Sequence, residues 1–86
     1  MDASIQARRV FLVLSPPADG EDGAVHVLLD GEPVRARAAG ADVRGDARVR
    51  VDRQRLYALV DLPRVGRHRL TLEVGRGVSG YAFTFG

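Results

Sequence analysis

The chain has two histidines, His26 and His68, and no cysteine. Without a thiol, disulfide formation, thiol redox chemistry and thiolate metal sites are excluded from these residues. A zinc site would need a further ligand at short spacing, such as i+2 or i+4, and neither histidine has a second imidazole there. His68 shares strand parity with Leu70, which predicts an inward-pointing ring satisfied by a hydrogen bond. The parity of His26 is open. The hydroxyl nucleophiles are Ser4, Ser15, Ser79, Thr71 and Thr84. None sits in G-x-S-x-G, and none has a base and an orienting acid close in sequence. The residues read as a chain that is not an enzyme, with no catalytic residue, no cofactor and no metal ligand set.

Asp19, Glu21 and Asp22 share a loop, but a calcium loop requires six to eight oxygens at defined positions. Three acids without that pattern read as a solvated turn. Gly75-Arg76-Gly77-Val78-Ser79-Gly80 fits G-x-G-x-x-G. That motif cradles a pyrophosphate only where a helix follows, and here a strand-like segment follows. It reads as a hairpin turn and a strand glycine. Arg44-Gly45-Asp46 reads as a solvated loop in a chain rich in all three residues. The binding candidates are exposed arginines. Arg48, Arg50, Arg67 and Arg69 could stripe one sheet face and hold carboxylate or phosphate bidentately. The competing reading is a solvated face or a guarded edge. Among the aromatics, Phe11, Tyr57, Tyr81, Phe83 and Phe85, core placement is the plainer reading because a small domain needs the buried area. Tyr57 could lie on either face and is kept as a binding candidate.

The elements that would position these residues are strands. Met1 to Ala7 reads as a lead-in segment. Arg8 to Ser15 is an apolar run bounded by Pro16-Pro17 and reads as a strand buried on both faces. A loop, Pro16 to Gly23, precedes a second strand, Ala24 to Asp30. Asp30-Gly31 signals a tight turn into a third strand, Pro33 to Arg37. Ala38 to Asp46 reads as a loop with a short extended piece at Val43. Ala47 to Asp52 alternates strictly, with Val49 and Val51 inward and Arg48 and Arg50 outward. Arg55 to Leu62 is apolar on both parities, Pro63 to Gly66 reads as a turn, and Arg67 to Val74 alternates with Leu70, Leu72 and Val74 on one side. Val78 to Phe85 closes the chain, with Tyr81, Phe83 and Phe85 on one face. About seven short strands at intervals of roughly 8–12 residues predict an all-β antiparallel sandwich.

Eighty-six residues suit one domain, 1–86, that buries roughly 60–65% of its unfolded surface. The net charge is +2 and the pI near 9.9, yet Asp and Glu are interspersed throughout. A nucleic-acid partner requires clustered charge, so none is expected. No stretch reaches the 18 or more apolar residues of a membrane span, so no direct membrane insertion is expected. The run Val10 to Leu14 is too short for a signal-peptide core.

The segments Arg55 to Leu62, Gly66 to Leu72, Gly77-Val78 and Tyr81-Ala82-Phe83-Thr84-Phe85-Gly86 carry a resemblance. They are similar to the C-terminal domain of DipZ-type thiol–disulfide interchange proteins of actinobacteria and related bacteria, which join a DsbD-like membrane domain, a thioredoxin-like domain and a terminal β-sandwich. The Arg9-to-Leu14 strand and the Leu29-Asp30-Gly31-Glu32-Pro33-Val34 hairpin are similar too. The resemblance implies a jelly-roll, carbohydrate-binding-module-like fold in the cell envelope, beside a redox domain whose C-x-x-C this chain lacks. It implies a non-catalytic accessory domain that positions a thioredoxin-like domain or binds an envelope protein or a cell-wall glycan. The alternatives are an independent carbohydrate-binding module and, from another class, a small hydrolase. In the family, further strands precede the Arg9-to-Leu14 strand. Their lack here predicts an open sheet edge and self-association or docking through it.

Overall fold

The computed structural model describes residues 1–86. Its elements are β1 (Asp2–Ser15), β2 (Gly23–Leu29), β3 (Glu32–Pro33), β4 (Arg48–Val51), β5 (Arg55–Val74) and β6 (Ser79–Phe85). The all-β, antiparallel reading holds. The strands form a single hydrogen-bonded sheet ordered β3-β2-β5-β1-β6, and β4 pairs with β2. Because β5 occupies one side of β2, β4 and β3 follow one another along the other side.

The number of strands is lower than expected because two of them are long. The lead-in residues belong to β1, where Asp2 to Ala7 pair with Thr71 to Gly66. The turn expected at Pro63 to Gly66 is a bulge inside β5. Ala7 pairs with Gly66 and Arg9 with Asp61, so Leu62 to Val65 swell out opposite Arg8. Pro63, which has no N–H to give a ladder, is tolerated at such a bulge. The expected third strand shrinks to Glu32–Pro33, because Ala38 and Ala39 donate back to the carbonyls of Arg35 and Ala36 in a turn.

Bulges also explain the runs that are apolar on both parities. Val10 pairs with Val60 and Phe11 with Ala58, leaving Leu59 as an extra residue. Leu59 and Val60 are consecutive and both buried. In β1 the inward set changes from Ile5 and Ala7 to Val10, Leu12 and Leu14 across the Arg8 irregularity. Phe11 and Val13, on the other parity, are only half-buried, so two-sided burial of this strand is partial.

With no helix to cover it, the sheet must bury its apolar side against itself. Sixteen buried residues from β1, β2, β4, β5 and the 34–47 connection form one cluster, to which the connection gives Val34 and Ala47. The connection contributes a short extended stretch that the Gly and Asp content hides. Gly40 donates to the Leu59 carbonyl at 3.1 Å, Asp61 donates to the Ala38 carbonyl at 2.9 Å, and Ala39 bridges Val60. The extended piece at Val43 is present and bridges Val49.

Candidate functional site

The largest depression on the surface, about 500 Å³ and open to solvent, lies over the β1–β5 ladder beside the β2–β3 turn. Ser4 pairs with Arg69 and Gln6 with Arg67, and directly opposed residues share a face. Four donor-bearing side chains therefore stand in a two-by-two array, all exposed. Neither guanidinium is in an ion pair. The Asp30-Gly31 turn borders the array, with both residues at positive φ (55° and 85°), as a tight hairpin turn requires. It presents the Asp30 carboxylate, which accepts from His68 Nδ1 at 2.6 Å and from the Arg69 amide at 2.9 Å. These bonds, the His68 one foremost, hold the Asp30 carboxyl below its ordinary value of 3.8.

His68 is opposed to Ile5, on the buried side, but it lies at the rim and its side chain keeps 26% exposure. The inward reading is thus half right: the ring leaves the core to reach Asp30. Ser4 points to the opposite face of the ladder. The imidazoles bond to carboxylates, His26 Nδ1 to Glu73 Oε1 at 2.8 Å and His68 to Asp30, and the two pairs are separate.

The four arginines do not form one stripe. Arg48 is opposed to His26, which is opposed to Glu73, four residues along β5 from Arg69. At about 3.3 Å per residue this offsets Arg48 from Arg69, the nearest β4–β5 pair, by roughly 13 Å along the strands, with β2 between them as well. Arg50 is bound to Asp22 at 2.6 Å, which also removes Asp22 from any acidic cluster. Asp19 accepts from the Glu21 amide in a local turn.

Tyr57 leaves the set of binding candidates: it is fully buried. Its hydroxyl donates to the Arg53 carbonyl at 2.7 Å, four residues upstream, in the manner of a tyrosine corner. The Arg55 guanidinium lies 3.8 Å from the ring centroid. Arg55 also donates to Asp42 Oδ1 at 2.8 Å, while Asp42 Oδ2 accepts from the Ala58 amide at 2.7 Å. This knot ties the connection to β5. Arg55, foremost, and the Ala58 amide lower the Asp42 pKa from 3.8 despite partial burial.

A carboxyl depressed in the fold stabilises above its unfolded pKa, and that contribution disappears as pH falls through the folded value. The contribution of these two carboxyls should therefore hold down to about pH 4 and be lost below it as Asp42 and Asp30 protonate. Asp42→Asn should lower stability at pH 7 and flatten the acid limb. Urea midpoints between pH 2 and 7 check this; an unchanged acid slope in the variant would contradict it.

The C-terminal aromatics also depart from expectation. Tyr81 and Phe85 are 61% and 51% exposed, and Phe83 is only half-buried. β6 pairs with β1 alone and has no second neighbour to cover its rings. Leu12 pairs with Phe83 but Leu14 with Gly80, so a bulge takes Tyr81 out of alternation. Phe83 and Phe85 stack on each other at 5.8 Å.

No curated protein and no solved structure gives a significant match to this chain. A family model described as the thioredoxin-like C-terminal domain matches residues 1–86. The match runs through every strand described above, including the β5 bulge and the aromatic C-terminal strand, and the chain belongs to the thioredoxin-like C-terminal domain family.

Proposed function

We propose that the chain is a non-catalytic accessory domain of a bacterial envelope thiol–disulfide interchange system of DipZ type, and that it positions a thioredoxin-like redox domain. The observation that carries this reading is the array of Ser4, Gln6, Arg67 and Arg69, whose donors are exposed and free of internal partners. Arginine forks of this kind recognise carboxylates on a partner surface. With no cysteine, the chain supplies contact and the partner supplies the redox chemistry.

The test is a nuclear magnetic resonance titration of the chain with a thioredoxin-like domain. Shift changes should centre on Ser4, Gln6, Arg67 and Arg69. The double variant Arg67→Glu, Arg69→Glu should bind at least ~10-fold more weakly, about 1.4 kcal/mol, with an unchanged melting temperature. Binding that ignores the double variant would sink the proposal. A second reading, an independent carbohydrate-binding module, draws on the exposed Tyr81 ring. A glycan that perturbs Tyr81 and leaves Arg67 untouched would favour it.

A further inference from the structure

The two sides of the sheet are defended differently. The β3–β4 side carries Glu32, Pro33, Arg48 and Arg50, the charged and proline residues that discourage strand addition. The β6 side carries none: residues 77–86, GVSGYAFTFG, contain no charged side chain and no proline.

The backbone of β6 has a readable direction. Arg9 and Gly86 exchange both hydrogen bonds, at 3.1 and 3.0 Å, and so form a hydrogen-bonded pair. Antiparallel ladders alternate, so Phe11–Thr84 is the next such pair, and Val10–Phe85 and Leu12–Phe83 are non-hydrogen-bonded pairs. The N–H and C=O groups of Phe83 and Phe85 consequently point away from β1, to the open side. Their rings face the core side of the sheet, opposite Val10 and Leu12, but overhang its edge.

We infer that β6 pairs antiparallel with β6 of a second copy of this chain. Residues with outward-facing groups must meet their like. A two-fold axis at Thr84 opposes Phe83 to Phe85 of the second copy and Phe85 to its Phe83. That register makes four N–H···O bonds and gathers four phenyl rings on one face. The occupant is a second copy because the strand is self-complementary: its side chains carry no charge, so the edge meets itself without like-charge repulsion between opposed residues. Only one short strand per chain takes part, less than a stable dimer needs, so the association is weak and depends on concentration.

The test combines sedimentation velocity over a dilution series with amide hydrogen exchange on the 86-residue chain. The expected result is a dimer fraction that rises with concentration, with the Phe83 and Phe85 amides protected in concentrated samples and unprotected on dilution. Phe85→Pro removes one outward N–H without touching the β1 ladder and should abolish the dimer. Phe85→Lys, which keeps every backbone group, should do the same if the proline variant does not fold. A chain that stays monomeric, a dimer that protects other amides, or Phe83 and Phe85 amides that respond only to a thioredoxin-like domain would each overturn the inference. The outcome is independent of the Arg67 and Arg69 titration, which concerns a different surface.

Discussion

Replacing Tyr57 with alanine is expected to destabilise the protein by about 3–5 kcal/mol, the usual cost of removing a buried aromatic ring. A chain of this length has roughly 4–13 kcal/mol in total. The ring is completely inaccessible, and three things depend on it. It fills the core beside Leu59, it supports the Arg55 guanidinium at 3.8 Å, and its hydroxyl satisfies the Arg53 carbonyl at 2.7 Å. The melting temperature should fall by roughly 4–8 °C per kcal/mol. Tyr57→Phe isolates the hydroxyl and should cost only about 1 kcal/mol. Guanidinium chloride unfolding of both variants checks the pair. A loss below about 1 kcal/mol for the alanine variant would mean that the ring is not in the core.

Gly40→Ala should be nearly as damaging, for a different reason. A Cβ at this position would sit 2.3 Å from the Ala58 carbonyl oxygen, 2.4 Å from its carbon and 2.7 Å from the Leu59 nitrogen. These are backbone atoms of β5 and cannot rotate aside as a side chain can. The 38–42 stretch must lift away, giving up the Gly40 and Asp61 amide bonds and straining the Asp42–Arg55 pair. At about 0.5–1.5 kcal/mol per neutral hydrogen bond and more for the charged one, the loss should be about 3 kcal/mol. Gly45→Ala is the control. Nothing lies within 4 Å of its Cβ position, so stability should change by no more than about 0.5 kcal/mol. Equal melting curves for the two alanine variants would falsify the close approach at Gly40.

Where the apolar period was clean, sequence reasoning located both strand and face. Val49 and Val51 are buried between exposed Arg48 and Arg50, and Leu70 and Leu72 are buried. The period misleads at the strand's end: Val74 continues the inward parity yet is 41% exposed. The apolar run Arg8 to Ser15 suggested two-sided burial, yet Phe11 and Val13 are only half-buried. In the Arg55 to Leu62 run, apolar on both parities, Leu59 and Val60 are buried in succession because of a bulge, which a single sequence does not distinguish. Aromatic content suggested core for Tyr81, Phe83 and Phe85, whereas burial depends on whether a strand has a second neighbour, a property of topology.

The candidate site was half legible. Alternation identified Arg67 and Arg69 as exposed. Ser4 and Gln6, their cross-strand partners, alternate with Ala3, Ile5 and Ala7, but this weakly apolar period at the chain's start reads as a lead-in, so their place beside the arginines was missed. Asp30 stood out only as a turn residue, although its φ of 55° is what aims the carboxylate at His68. Asp42 had no local signal at all, because its value comes from Arg55, which the fold brings to it from β5.

The pairing of β1 with β5 also governs how the chain acquires its shape. The terminal ammonium donates to the Leu72 carbonyl across 71 residues, and Thr71 donates to Asp2 across 69. During synthesis, β1 emerges before both of its partners and has none until residues from Arg55 onward have followed it out. Non-local ladders of this kind close in milliseconds to seconds rather than microseconds. Throughout that wait, the apolar run Val10 to Leu14 stays open to a chaperone or to a neighbouring nascent chain.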